Sequence, residues 1–170
     1  MNNLIVIVIV LNLIAGAGRA TERAMVNVVD FGAKGDGVTK DTVAIQKALD
    51  DCAAGGGGTV WVPVGNYLTG SLVLPSNITL KLDTRAKLLG SPDIADYPAV
   101  RVRWEGEFRP GHRALISATD AASISIRGGM IVGPPRSLSE LRNPRGPVLI
   151  ELTGCTNVVL DDFVTQFQQL

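Results

Sequence analysis

The sequence has no excess of charge of either sign, since 16 Lys and Arg stand against 16 Asp and Glu and the formal net charge is zero. A nucleic-acid partner is therefore not expected, because phosphate binding requires a basic surface. No Pro/Ser-rich linker divides the chain, which favours one domain. No acidic cluster of the kind that binds calcium is visible, and neither a metal nor a cofactor is predicted.

Long apolar runs are also absent, apart from residues 4–13. This run is too short to cross a bilayer, which needs roughly 20 apolar residues. Small residues follow it, with Ala at positions 15, 17 and 20, as is typical of a signal peptide, although residues 1–3 carry no Lys or Arg. We predict a signal peptide over residues 1–20, cleaved after Ala17 or Ala20. The mature domain, residues 21–170, is then secreted or periplasmic and has no membrane contact.

An amphipathic helix is predicted over residues 41–53. Asp41 is its candidate N-cap, and glycines at 55–58 end it. Apolar residues recur at i, i+3, i+4 and i+7, at Ile45, Ala48, Leu49 and Cys52.

The rest of the chain consists of short β-rich runs separated by Gly, Pro, Asn and Asp. A first strand is predicted at 26–29, before a glycine-rich turn at 30–37. Further strands are predicted at 59–62, 67–74, 78–82, 86–89, 115–118, 124–127, 130–132, 148–152 and 158–160.

Three of these runs resemble one another, because Asn77, Ser123 and Asn157 each precede alternating aliphatic positions. Their unequal spacing indicates coils of about 20 to 25 residues that carry loops of variable length. A sandwich is disfavoured, because no two-residue Asn-Gly or Asp-Gly turns join these runs. We predict an all-β fold, a right-handed parallel β-helix (solenoid) with the 41–53 helix as an N-terminal cap. Residues 163–170 follow a strand without a polar cap, which suggests truncation at the C-terminus.

The two cysteines, Cys52 and Cys155, are predicted to be unbridged. Some four coils, or about 19 Å, separate them, whereas bridged Cα atoms lie within about 7 Å.

Several segments resemble pectin-active β-helix enzymes. The entry is carried by residues 26–37 (VNVVDFGAKGDG), 41–48 and 59–63 (TVWVP). Residues 74–80 (LPSNITL), 88–91, 96–98, 103–106 (RWEG) and 153–160 (TGCTNVVL) are more specific and resemble the polygalacturonase-type glycoside hydrolases of family 28. The resemblance covers the chain from about residue 26 to its end.

This resemblance implies hydrolysis of a pectic polysaccharide such as polygalacturonate, with inversion at the anomeric carbon and two carboxyl groups about 6.5 to 9.5 Å apart. The family's catalytic segments cannot be placed, so no catalytic residue is assigned in this chain and all are expected beyond Leu170. The chain alone is then expected to be inactive.

Two motifs imitate the family's catalytic segments. Asp161 and Asp162 follow a strand at a position of ordinary turn residues, and a continuing strand would point them to opposite faces. His112, the only histidine, is interpreted as a solvated loop residue.

Candidate substrate-binding residues lie in a long loop that holds Arg101, Arg103, Trp104, Arg109 and Arg113. Guanidinium groups bind uronate carboxylates bidentately, and an indole face covers a sugar ring. We select Arg103, Trp104, Arg109 and Arg113 as candidates. In the structural alternative, Trp104 packs the loop and the arginines pair with its glutamates.

Two other functions remain open. A pectate lyase would need a calcium-binding acidic cluster and an Arg or Lys base. A non-catalytic β-helix that only binds polysaccharide would need a polar cap at its end.

Overall fold

The protein is described by a computed structural model that covers residues 24–168. The predicted signal peptide lies outside the described residues. Among the described residues, no helix is long and apolar enough to span a membrane.

Strands dominate the structure, and they are numbered here in chain order. They are β1 (Ala24–Asn27), β2 (Asp36–Lys40), β3 (Gly58–Val62), β4 (Gly65–Thr69), β5 (Leu72–Val73), β6 (Ile78–Leu82), β7 (Ala86–Gly90), β8 (Ala99–Trp104), β9 (Glu107–His112), β10 (Ile116–Thr119), β11 (Ala122–Arg127), β12 (Met130–Pro135), β13 (Ile150–Thr153), β14 (Thr156–Asp161) and β15 (Val164–Gln168). Two α-helices, α1 (Thr42–Ala54) and α2 (Arg136–Ser139), and 3-10 turns at Val28–Phe31 and Ile94–Asp96 complete the described part.

Three parallel sheets form the walls of a solenoid. Sheet A has the order β1-β3-β6-β11-β14, sheet B the order β2-β4-β7-β12-β15, and sheet C the order β5-β10-β13. All strand pairs within these sheets are parallel. The predicted right-handed parallel β-helix is therefore confirmed.

The coils differ in length, as the unequal repeats predict. In sheet A, Val26 pairs with Val60, Val60 with Leu80, Leu80 with Ile126 and Ile126 with Leu160, which gives steps of 34, 20, 46 and 34 residues. The 46-residue coil contains an antiparallel hairpin, β8–β9. The last step includes α2 and the segment that follows it.

Each coil turns its corner before sheet A at the same position. Gly57, Asn77, Ser123 and Asn157 precede aligned positions of β3, β6, β11 and β14, and all have positive φ, at 98°, 65°, 57° and 53°. The predicted similarity of these turns is confirmed. A Cβ at Gly57 would lie 2.5 Å from the Cβ of Asn77, so this corner needs glycine for space as well as for its φ.

The core lies inside the solenoid and is closed at its first coil by α1. The helix begins at Thr42, and its predicted apolar face, Ile45, Ala48, Leu49 and Cys52, is buried. The cap prediction is confirmed. Both Cys52, which is buried, and Cys155, which is partly exposed, carry free thiols.

Asp41 does not cap the helix with its side chain, contrary to expectation. Its carboxylate is 1% exposed and accepts hydrogen bonds from the backbone N–H groups of Lys34, at 2.7 Å, and Gly35, at 3.0 Å. The carboxylate therefore binds the glycine-rich turn instead of the first turn of α1. Asp41 thus links the two elements.

Some strand predictions need correction. The strand expected over residues 67–74 is divided into β4 and β5. Gly70 lies at the break, where a Cβ would clash with the backbone oxygen of Asp96. Strands β2 and β15 were not predicted, and the expected long loop is the β8–β9 hairpin.

Leu80→Ala is expected to lower the free energy of unfolding by about 2 to 5 kcal/mol, because Leu80 is fully buried between neighbouring coils. Leu160 occupies the same inward row but is 48% exposed. Leu160→Ala is the matched control and should cost less than about 1.5 kcal/mol. Urea unfolding of both variants measures the difference, and equal losses would contradict the proposed stacking of this row.

Candidate functional site

The hairpin β8–β9 carries most of the predicted binding residues. Its register pairs Val102 with Arg109 and Trp104 with Glu107. Side chains alternate between the two faces of a hairpin, so Trp104 and Arg109 share one face. Arg103 lies on the other face, paired with Phe108.

The base of the hairpin is anchored by a buried tyrosine. Tyr97 is 1% exposed, and its hydroxyl donates to the backbone oxygen of Ser91 at 2.9 Å. Burial raises the pKa of Tyr97, so the hydroxyl stays protonated and keeps this bond at all ordinary pH values. His112 is not a solvated loop residue as expected: it ends β9, is partly buried, and its Nδ1 lies 2.8 Å from the backbone oxygen of Tyr97.

A charged cluster fixes the segment that leads to this tyrosine. The Lys40 ammonium lies 3.2 Å from the Asp93 carboxylate and 2.8 Å from that of Asp96. These hydrogen bonds, first with Asp96 and then with Asp93, raise the pKa of Lys40. The cluster ties β2 to the segment between β7 and β8, so the hairpin emerges from a fixed position.

Arg145 joins the hairpin to the loop between α2 and β13. The His112 N–H donates to the Arg145 oxygen at 2.8 Å, and the Arg145 N–H donates to the Pro110 oxygen at 3.0 Å. The guanidinium carbon of Arg145 lies 3.2 Å from the centroid of the Trp104 ring. Such a cation–π contact is worth about 0.5 to 2 kcal/mol, and it holds the indole against the loop.

An open groove of about 630 Å³, here called the hairpin groove, lies between the hairpin and this loop. Its lining residues are Trp104, Glu105, Arg109, Ser139, Glu140, Leu141, Arg142 and Arg145. Glu140 also pairs with Arg136, and Arg109 with Glu107 at 3.1 Å. In the described part of the chain, Arg142 and Arg145 form no ion pair, so the groove presents two adjacent guanidinium groups with unused donors.

The structure brings only part of the predicted set together. Trp104 and Arg109 line the hairpin groove. Arg103 does not, because the pleat directs it to the other face, and Arg113 lines a separate depression of about 420 Å³. The structural alternative is realised in part, through the Arg109–Glu107 pair.

Sequence reasoning missed Arg142 and Arg145. No periodic pattern distinguishes them, because their place in the groove comes from a bridge between Gly111 and Arg145 that joins distant segments. The only local signal is a pair of arginines that flanks Asn143 and Pro144.

The acidic pair also differs from its expected geometry. Strand β14 ends at Asp161, and Asp162 has a φ of 54°, so Asp162 is a turn residue as interpreted. The strand does not continue through Asp162, so the opposite-face geometry expected of a continuing strand does not arise, and both residues line one depression.

No group of three or more His, Cys, Asp or Glu side chains is arranged to hold a metal ion among residues 24–168.

Comparison with known proteins agrees with this architecture. The profile of the family described as rhamnogalacturonase A/epimerase, pectate lyase-like, matches residues 25–95. An exo-poly-α-D-galacturonosidase of Dickeya chrysanthemi is 42% identical over 104 residues, which cover 60% of this chain and 17% of that protein.

Solved structures extend the match. An exopolygalacturonase of Thermotoga maritima superposes with a TM-score of 0.74 at 25% identity, over 84% of this chain and 41% of that one. The family 28 exopolygalacturonase of Yersinia enterocolitica gives 0.70 at 30% identity, over 85% and 34%. The resemblance to polygalacturonase-type glycoside hydrolases is confirmed. The chain spans less than half the length of each of these polygalacturonase relatives.

Fluorescence of the hairpin tryptophan allows a direct test of the Arg145–Trp104 contact. Arg145→Ala should expose the indole of Trp104, because the guanidinium group covers its ring. In a Trp61→Phe background, which leaves Trp104 as the only tryptophan, we expect red-shifted emission and faster quenching by acrylamide. Arg103→Ala is the control on the opposite face, and an equal change in both variants would contradict the contact.

Proposed function

We propose that this chain forms part of a secreted or periplasmic polygalacturonase-like hydrolase, and that its hairpin groove binds the uronate units of a pectic polysaccharide. The supporting observation is that two guanidinium groups, those of Arg142 and Arg145, line the groove with the indole of Trp104 and form no ion pair within residues 24–168. Planar guanidinium groups match carboxylates in two parallel hydrogen bonds. Regularly spaced carboxylates and flat sugar faces are the two features that such a groove recognises.

Each residue of the groove then has a distinct task. Arg142, whose donors are unused in the described part of the chain, binds a carboxylate directly. Arg145 divides its guanidinium between the Trp104 ring and the groove, so it both positions the indole and contributes charge. Arg109 already forms an ion pair with the exposed Glu107. It therefore contributes less to binding of a uronate carboxylate.

For the reaction, we propose inverting hydrolysis, in which one carboxyl group protonates the leaving oxygen and another activates water from the opposite side. Neither role is assigned to a residue among 24–168. The described residues would bind and orient the polymer, and the acid and base would come from elsewhere in the enzyme.

Binding to polygalacturonate tests the groove. Arg142→Ala should weaken binding about 10- to 100-fold, because a hydrogen bond to a charged group is worth about 1.5 to 3 kcal/mol. Arg103→Ala is the matched control, since Arg103 lies on the face of the hairpin that points away from the groove. Calorimetry at two salt concentrations should also show weaker binding at the higher one. Equal losses of affinity in both variants would contradict binding of polygalacturonate in the hairpin groove.

Activity measurements test the catalytic part. The chain alone should release no reducing sugar from polygalacturonate above a buffer blank, since general acid and base groups each supply roughly 10² to 10⁴ in rate and neither is assigned here. Robust turnover would show that a complete site exists within the chain. An unsaturated product would instead favour the lyase alternative.

A further inference from the structure

A second row of functional side chains crosses the outer surface of sheet A. Trp61 pairs with Lys81, Lys81 with Arg127, and Arg127 with Asp161, each in register on neighbouring strands. Strands lie about 4.8 Å apart, so the row extends about 14 Å along the solenoid. The inward neighbours of Trp61, Lys81 and Arg127 are core residues, so the register that builds the core also fixes this part of the row.

The row lies in a groove of about 520 Å³, here called the sheet A groove. Asp83 and Asp162, in the turns after β6 and β14, also line it. It shares no lining residue with the hairpin groove, which is built on loops that follow sheet B. The two grooves are therefore separate surfaces.

Several polar groups in the sheet A groove have unused hydrogen-bonding capacity. The Nε–H of Arg127 donates to the Ser125 hydroxyl at 2.9 Å, and its guanidinium group lies 3.8 Å from the Asp161 carboxylate. Within residues 24–168, Lys81 forms no ion pair and the Asp162 carboxylate accepts no hydrogen bond. Donors and acceptors thus lie in one groove beside a partly exposed indole.

The charge balance of the groove selects among ligands. Two cations, Lys81 and Arg127, face three carboxylates, so the groove does not favour a polyanion such as polygalacturonate or a nucleic acid. A hydroxyl-rich ligand fits better, because each hydroxyl both donates and accepts. The indole supplies the flat apolar surface that such a ligand needs.

We propose that the sheet A groove binds a neutral polysaccharide chain that runs across the strands, with one sugar stacked on Trp61. This site is independent of the uronate site in the hairpin groove. The polysaccharide proposed for the sheet A groove is also a chain of sugar rings, but it carries no negative charge.

Binding of the full chain to neutral galactan, measured by calorimetry, tests this site. Trp61→Ala should weaken galactan binding about tenfold, because aromatic stacking contributes about 1.4 kcal/mol. Arg103→Ala is the control, because Arg103 lines neither groove, and it should leave galactan binding unchanged. Raising the salt concentration should have little effect on galactan, in contrast with polygalacturonate.

A second variant guards against misfolding of Trp61→Ala. Lys81 is exposed on the same row, and Lys81→Ala should weaken galactan binding about threefold with unchanged circular dichroism. Absence of galactan binding, or equal losses in Trp61→Ala and Arg103→Ala, would overturn the sheet A site. Neither result bears on the hairpin groove, which is judged by Arg142→Ala and polygalacturonate.

Discussion

Stacking of inward-facing aliphatic side chains from successive coils is the interaction on which the rest of this structure depends. Val60, Leu80 and Ile126 lie in one row of sheet A, and each is fully buried. No coil can bury its inner face alone, so each coil needs a neighbour that covers it. At the first coil, α1 covers the open end of the core. A slip of one residue would turn Lys81 or Arg127 inward, so the row also fixes the register.

The rows stack only if every coil turns at the same place, which explains the column of left-handed residues from Gly57 to Asn157. The constraint applies to this corner and not to the connection from sheet B to sheet C. There the coils vary in length, and the hairpin and the loop around Arg145 are inserted. Loops tolerate insertion because they lie outside the stacked core, so the variable connection is where a binding groove can be built without cost to the rows.

Most of the fold could be predicted from the sequence because burial of one face makes apolar residues recur at regular intervals. The apolar face of α1 repeats every 3.6 residues, and strands such as β6 alternate between buried and exposed positions. The hairpin escaped prediction because Arg101, Arg103 and Arg109 leave both of its faces polar, and contacts of Tyr97 and Arg145 hold it. Of the candidate residues on the hairpin, Trp104 and Arg109 line the groove and Arg103 does not. Arg142 and Arg145 were missed because a distant loop supplies them.

The two grooves differ in what holds them, and this difference governs how each responds to change. Trp61 and Lys81 are positioned by core register, so the sheet A groove can open only if coils separate. The hairpin groove is held by a few anchors, chiefly Tyr97 and Arg145, in a region with little buried apolar surface. Local opening draws on such regions first. Conditions that loosen loops but leave the core intact should therefore open the hairpin groove while the sheet A groove persists.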